Sequence, residues 1–169
     1  EVQLQRLGAA GFAEPAAALE RVRRLKEGGL AQRLDQPGRQ RLDALVPAVL
    51  AAASRHPEAV RALDGMVLVL EAIGRRSAYF ALLNENPPAL ERLVGICAAS
   101  EFLARLVATH PLLLDELLDP RVFEQAPSRD ELAADLDVRL ARVPPEDAEA
   151  RLDAVRNFQQ AATFRVAVV

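Results

Sequence analysis

Residues 77–121 read SAYFALLNENPPALERLVGICAASEFLARLVATHPLLLDELLDPR, and this stretch decides the fold. Large apolar residues recur in it at helical spacing, and turn signals divide it into four short segments. Asn86-Pro87 and His110-Pro111 place proline at a first helical position, where its missing N–H does no harm. Ser100 has the side chain of an N-cap for the segment that follows it. We therefore predict four helices, of which the leucine-rich last one, residues 111–118, is expected to be the most buried piece of the protein.

Helical spacing continues upstream of this stretch. The pair Gly28-Gly29 is predicted to end one helix, and Gln36-Pro37-Gly38 is predicted to form a turn. Residues 42–53 then show a clear amphipathic pattern, in which Pro47 should kink the helix or interrupt its hydrogen bonds. His56-Pro57-Glu58 is expected to open the next helix, which runs through Ile73 and whose middle is weakened by Gly65.

Helical signals also continue downstream. Ser128 and Glu131 have the spacing of a capping box, so a helix should begin there. Pro144-Pro145 precedes a last helix of about 20 residues, with Leu152, Val155 and Val166 on its apolar side. No segment alternates with a two-residue period. The sequence therefore predicts an all-α fold, a bundle of about eight to ten short-to-medium helices without a significant sheet.

The length of 169 residues suits a single domain, 1–169, with a possible subdivision into an entry helix (1–35), a bundle (36–143) and an exit helix (144–169). Glu1 cannot initiate translation and the apolar end has no cap, so we expect a piece of a longer polypeptide. A hydrophobic share of 51% and a charged share of 27% are typical of a globular protein.

Net charge and apolar content exclude two classes of partner. A formal charge of −3 argues against a general nucleic-acid-binding protein, which would show a basic stripe. No apolar run approaches the ~18 residues needed to span a bilayer, and no signal peptide opens the chain, so no membrane association is expected. The single cysteine, Cys97, lies on an apolar helix side and is expected to be a buried hydrophobe in a cytoplasmic protein.

Residues with catalytic chemistry are few. His56 and His110 each precede proline at a helix start, and we interpret both as structural rather than as ligands or acid–base groups. Asp115, Glu116 and Asp119 cluster in the leucine-rich segment; a metal site is one interpretation, but pairing with arginines such as Arg92, Arg105 or Arg121 explains them better. No glycine-rich phosphate loop is present. We predict no catalytic, cofactor-binding or metal-binding residue in this chain.

An arginine-rich helix surface is the only candidate for contact with a partner. Arg21, Arg23 and Arg24 crowd one helix, and Arg75 and Arg76 follow another. Solvation explains such a cluster in most proteins, but charged rims also steer association. We take these five arginines as the candidate contact residues.

Four phrases of this sequence resemble a known family. They are NPPALERL (86–93), CAAS (97–100), HPLLLDELLD (110–119) and FQQA (158–161). In this order they are similar to the region of bacterial glutamine synthetase adenylyltransferase that precedes its second nucleotidyltransferase domain. The order over most of the chain makes the resemblance specific, although each phrase alone is weak.

The resemblance implies a parent enzyme with two nucleotidyltransferase domains that use ATP and Mg²⁺. One attaches AMP to a tyrosine of glutamine synthetase, the other removes it by phosphorolysis, and the PII signal protein and glutamine decide which prevails. This chain would be the regulatory helical connector between them, with glutamine synthetase, PII and the flanking catalytic domains as partners. Such enzymes hold magnesium with an Asp-x-Asp triplet on a strand after a Gly-Ser turn. Here Asp135-Leu136-Asp137 follows Ala133-Ala134 in a helical pattern, so we expect the chain itself to be inactive.

Two alternatives remain open at this stage. The first is a stand-alone helical adaptor that binds other proteins and has no enzymatic parent. The second is an independent enzyme that uses Asp115, Glu116 and Asp119, which would require that this chain bind a divalent metal.

Overall fold

The structure, a computed structural model, describes residues 1–76 and 78–169 of the chain. These residues form ten α-helices and two 3₁₀ segments and no strand, which confirms the all-α prediction. The α-helices are α1 (Val2–Ala9), α2 (Pro15–Glu27), α3 (Gly29–Arg33), α4 (Gln36–Ala53), α5 (Ala59–Ile73), α6 (Ala78–Glu85), α7 (Pro87–Ala99), α8 (Glu101–Thr109), α9 (Arg129–Ala141) and α10 (Ala148–Ala167). The 3₁₀ segments are Pro111–Leu118 and Pro120–Phe123.

Contacts within the chain divide it into two compact units. The first unit is Glu1–Leu118 and the second is Asp119–Val169. The division into 1–35, 36–143 and 144–169 stays a prediction. No helix among the described residues combines the length and the hydropathy that crossing a bilayer requires. Ser77, the first residue of the stretch 77–121, lies outside the described residues.

The centre of the first unit is α5. Nine of its 15 residues are buried, and it packs against α2, α4, α7 and α8. At Gly65 the neighbouring helices come so close that a Cβ atom there would lie 2.7 Å from Cys97 Cβ and 3.1 Å from Ala104 Cβ. The glycine that sequence alone marks as a weak point of this helix therefore permits a close approach of α5 to α7 and α8.

The leucine-rich segment Pro111–Leu118 differs from its prediction. It is a 3₁₀ helix, and while Leu113, Leu114 and Leu117 are buried, Leu112 is 55% and Leu118 is 44% exposed. A 3₁₀ helix has three residues per turn, so positions 112, 115 and 118 share one face, and all three are exposed. The prediction that this segment is the most buried piece was wrong, because it assumed an α-helix that is apolar all round.

Local capping chemistry explains several helix starts. Ser100 accepts a hydrogen bond from the Leu103 N–H at 3.3 Å, as predicted. The predicted turn at 36–38 was wrong: Asp35 accepts a hydrogen bond from the Gly38 N–H at 2.8 Å, so these residues form the first turn of α4. This helix continues through the exposed Pro47 to Ala53.

The second unit consists of the 3₁₀ segment Pro120–Phe123 with α9 and α10, which pack on each other. The capping box is confirmed: the Ser128 N–H donates to Glu131 Oε2 at 2.7 Å, and the Glu131 N–H donates to Ser128 Oγ at 3.2 Å. The last helix has 20 residues, as predicted. It buries only Ala161 and Phe164, however, and α9 buries no residue at all. The large apolar residues that remain exposed in these two helices are Val138, Leu152, Val155 and Val166.

Candidate interaction surface

Two arginines of α2 are bound to carboxylates of α5. The Arg21 guanidinium donates to both oxygens of Asp64, with Nε–Oδ1 and Nη2–Oδ2 distances of 2.8 and 3.1 Å. Arg24 binds Glu71 in the same two-pronged way, with both N–O distances 2.8 Å. These hydrogen bonds raise the pKa of both guanidiniums above their ordinary value, the bond to Asp64 or Glu71 being the largest cause. The two pairs clamp α2 onto α5, so these arginines are already engaged within the chain.

The other three candidate arginines are exposed. Arg23 lies on α2, and Arg75 and Arg76 follow the C-terminal end of α5. None of the three makes an ion pair or a side-chain hydrogen bond with another described residue. The structure therefore separates the five candidates into two that hold helices together and three that are open to solvent, and their contact with a partner stays a prediction.

Close packing at two glycines places one more arginine, Arg33, near Arg75 at the end of α5. Gly28 caps α2, and the chain immediately begins the short helix α3, so the predicted helix end at Gly28-Gly29 is correct only for its first residue. The α3 residue Leu30 is 1% exposed and approaches the end of α5 so closely that a Cβ at Gly74 would overlap Leu30 Cδ1. This contact positions α3, and with it Arg33, beside the end of α5.

An open cavity of about 360 Å³ lies between α3 and the end of α5, which we call the arginine groove. It is lined by Leu30, Arg33, Glu71, Ala72, Gly74 and Arg75. Arg33 was missed by sequence reasoning, because nothing in the local pattern shows that a five-residue helix would return to α5. The only signal in the sequence was the pair Gly28-Gly29, at which α2 ends and α3 begins.

The carboxylate clusters do not form a metal site. No group of three or more His, Cys, Asp or Glu side chains suited to a metal ion occurs among residues 1–76 and 78–169. Asp135 lies on α9 and accepts hydrogen bonds from Arg139 at 3.0 Å and from Arg165 at 3.4 Å. Asp137 is exposed on the same helix, where side chains two positions apart point in different directions. The described residues thus do not fit the Asp-x-Asp magnesium site of a nucleotidyltransferase.

The other titratable candidates have structural surroundings. Asp119 is held by Arg121, whose side chain lowers the pKa of this carboxyl to about 2. The His110 N–H donates to the Leu106 carbonyl at the end of α8, while His56 lies at the corner before α5. Burial raises the pKa of the Cys97 thiol to about 12, so the thiol stays protonated and unreactive at neutral pH.

A larger open cavity, of about 510 Å³, occurs in the second unit. Its charged lining has both signs, and most of these groups are already engaged. Asp119 is bound to Arg121, Glu131 belongs to the capping box and Arg165 binds Asp135. This cavity offers fewer uncompensated charges than the arginine groove, which makes the groove the better candidate for an interaction surface.

Known proteins match this chain along nearly its whole length. The family model described as glutamate-ammonia ligase adenylyltransferase matches residues 90–169. A bifunctional glutamine synthetase adenylyltransferase/adenylyl-removing enzyme from Pseudomonas putida strain KT2440 is 43% identical over 163 residues, which are 96% of this chain and 17% of the relative. Relatives with the same name from Thioalkalivibrio sulfidiphilus and Chromobacterium violaceum are 44% and 41% identical over 161 residues, or 95% of this chain.

The chain spans only 17% and 18% of the length of the latter two relatives. An alignment that covers 96% of the chain includes residues of both units, and the family model matches residues 90–169. This agreement confirms the resemblance found in the four sequence phrases. The chain belongs to the glutamate-ammonia ligase adenylyltransferase family.

Proposed function

We propose that this chain is the regulatory and connecting helical region of a bifunctional enzyme that adenylylates and deadenylylates glutamine synthetase. The observation that carries the proposal is the alignment of 96% of the chain with a relative whose name states both activities. On this proposal the parent enzyme acts in nitrogen metabolism in the cytoplasm, uses ATP and Mg²⁺, and responds to glutamine and PII. The nucleotidyl transfer takes place in flanking catalytic domains.

The geometry of the carboxylates supports the part of the proposal that places nucleotidyl transfer in the flanking domains and not in this chain. Magnesium-dependent nucleotidyl transfer needs carboxylate oxygens that converge on the metal ions. Asp135 instead forms ion pairs with Arg139 and Arg165, and Asp137 is on a different side of α9. We therefore expect that the chain alone transfers no AMP to glutamine synthetase in the presence of ATP and Mg²⁺.

A chimeric enzyme tests the proposed regulatory role of this chain. The aligned segment of the Pseudomonas putida relative is replaced by this chain, and AMP transfer to glutamine synthetase is measured with and without glutamine and PII. We expect that the chimera transfers AMP and still responds to both effectors. A matched control carries an unrelated helical segment of the same length and should lose the response.

Two results would contradict the proposal. AMP transfer by the isolated chain would show that it contains an active site. A chimera that is active but responds to neither effector, while the unmodified relative responds to both, would reduce the chain to a spacer. Helices that pack through short turns can shift as rigid bodies, which gives a relay of this kind a physical basis.

A further inference from the structure

The arginine groove has an uneven charge balance. Three ionisable side chains line it, namely Arg33, Glu71 and Arg75. Both oxygens of Glu71 are taken by Arg24, whose side chain is not part of the lining. Arg33 and Arg75, by contrast, make no ion pair or side-chain hydrogen bond with another described residue. The groove's one negative charge is thus compensated from outside, and two guanidinium groups are left without a counter-charge.

The rest of the lining is small and apolar. Leu30 is buried, and Ala72 and Gly74 add only a methyl group and backbone, so none of these three residues offers the guanidiniums a side-chain acceptor. A guanidinium presents several donors in a planar fork that matches the two oxygens of a carboxylate. A volume of about 360 Å³ accommodates the ends of acidic side chains.

We propose that the arginine groove binds an acidic segment of a protein partner, whose side-chain carboxylates pair with Arg33 and Arg75. Arg76, the residue after Arg75, is exposed and adds to the positive charge of this segment. A nucleic acid does not fit this surface, because its phosphate backbone requires an extended basic stripe and the chain as a whole carries a charge of −3. Such binding depends only on the groove and not on the role of the chain in nucleotidyl transfer.

The test measures binding of a short fluorescein-labelled peptide of alternating glutamate and glycine by fluorescence anisotropy at low ionic strength, where charges are weakly screened. The double variant Arg33→Gln/Arg75→Gln should bind the peptide about tenfold more weakly, since two charge-assisted contacts are lost. The matched control is Arg129→Gln/Arg142→Gln, which removes the same charge at two exposed arginines of the second unit and should bind like the unmodified chain.

A second variant changes the affinity in the opposite direction. Glu71→Gln removes the groove's carboxylate and frees Arg24, so the peptide should bind more tightly. Its control, Glu91→Gln, makes the same change in charge at a carboxylate that pairs with Arg55 outside the groove. Circular dichroism of every variant shows whether the helices are intact, and a duplex DNA of the same label serves as the nucleic-acid probe.

The proposal is overturned if the unmodified chain does not bind the peptide, or if both double variants weaken binding equally, which would indicate a non-specific effect of net charge. It is also overturned if the duplex binds more tightly than the peptide. Weaker binding by the Arg33/Arg75 variant alone, together with tighter binding by Glu71→Gln alone, would support it.

Discussion

Replacement of Gly65 by alanine should destabilise the first unit, although the same replacement favours helices in general. Gly65 is buried at the contact of α5 with α7 and α8. The added Cβ would lie 2.7 Å from Cys97 Cβ and 2.9 Å from Cys97 Sγ. Carbon atoms in contact are normally separated by ~3.5 Å or more, so α5 and α7 would have to move apart.

The size of the effect follows from two opposed contributions. Alanine in a helix interior is about 1 kcal/mol more favourable than glycine. Overpacking of a well-packed core costs typically ~1–3 kcal/mol, and two of the atoms that the new methyl group meets, Cys97 Cβ and Ala104 Cβ, are fixed to the helix backbones and cannot rotate away. A Cβ–Cβ distance of 2.7 Å places this replacement in the upper part of that range, about 2–3 kcal/mol, so after the gain of about 1 kcal/mol we expect a net loss of about 1–2 kcal/mol in the free energy of unfolding.

The helical glycine Gly95 of α7 provides the matched control. A Cβ there would meet only the His56 ring, with Cε1 the nearest atom at 3.7 Å, which is an ordinary contact. Gly95→Ala should therefore raise the free energy of unfolding by up to about 1 kcal/mol. Both variants are measured by urea unfolding followed by circular dichroism, because the chain has no tryptophan.

The double variant Gly65→Ala/Cys97→Gly tests whether the contact with Cys97 causes the loss of stability in Gly65→Ala. With the Cys97 side chain removed, an alanine in place of Gly65 should cost much less than it does in the unmodified chain, since its two closest contacts are gone. If Gly65→Ala proves as stable as the unmodified chain, or if its cost is unchanged in the Cys97→Gly background, the close approach of α5 and α7 is not what glycine permits.

Three further predictions concern single side chains. Ser128→Ala should lower the helix content of α9 and cost about 1 kcal/mol, measured by circular dichroism and urea unfolding, because the Glu131 N–H loses its acceptor. The Cys97 thiol, whose pKa is raised to about 12 by burial, should resist Ellman's reagent in the native chain and react readily in urea; a fast native reaction would contradict its burial. Asp119 has a pKa depressed to about 2, so its contribution to stability is complete above the ordinary value of 3.8 and is lost as the pH falls through about 2. An NMR titration of this carboxyl should give that midpoint, and Arg121→Gln should move it back towards 3.8.

The features that sequence alone predicted correctly are those that depend on a few neighbouring residues. The N-cap at Ser100 and the capping box at Ser128 and Glu131 join groups three positions apart. The burial of Cys97 follows from the apolar side of one helix. Helical spacing reports which face of a helix is apolar, and for α5 and α7 that face is the buried one.

The features that were missed depend on contacts between distant parts of the chain. Arg21 and Arg24 looked like a solvated basic face, but their partners Asp64 and Glu71 are 43 and 47 residues away. A 3₁₀ conformation at 111–118 changes which leucines share a face, and the apolar pattern is the same for both helix types. Arg33 could be placed beside α5 only once the close contact between Leu30 and Gly74 was known.

The two units differ in how much apolar surface they bury, and this difference bears on the proposed connecting role. The first unit has a continuous core around α5, whereas α9 buries no residue and α10 buries two. Segments with few buried apolar contacts open at low free energy, and elements that move in regulation are drawn from such segments. On these grounds the amide hydrogens of α9 and α10 should exchange faster than those of α5. A regulatory relay requires an element with two accessible arrangements. If a region of this chain rearranges when an effector binds, a rearrangement of α9 and α10 costs less free energy than one of the helices packed on Gly65.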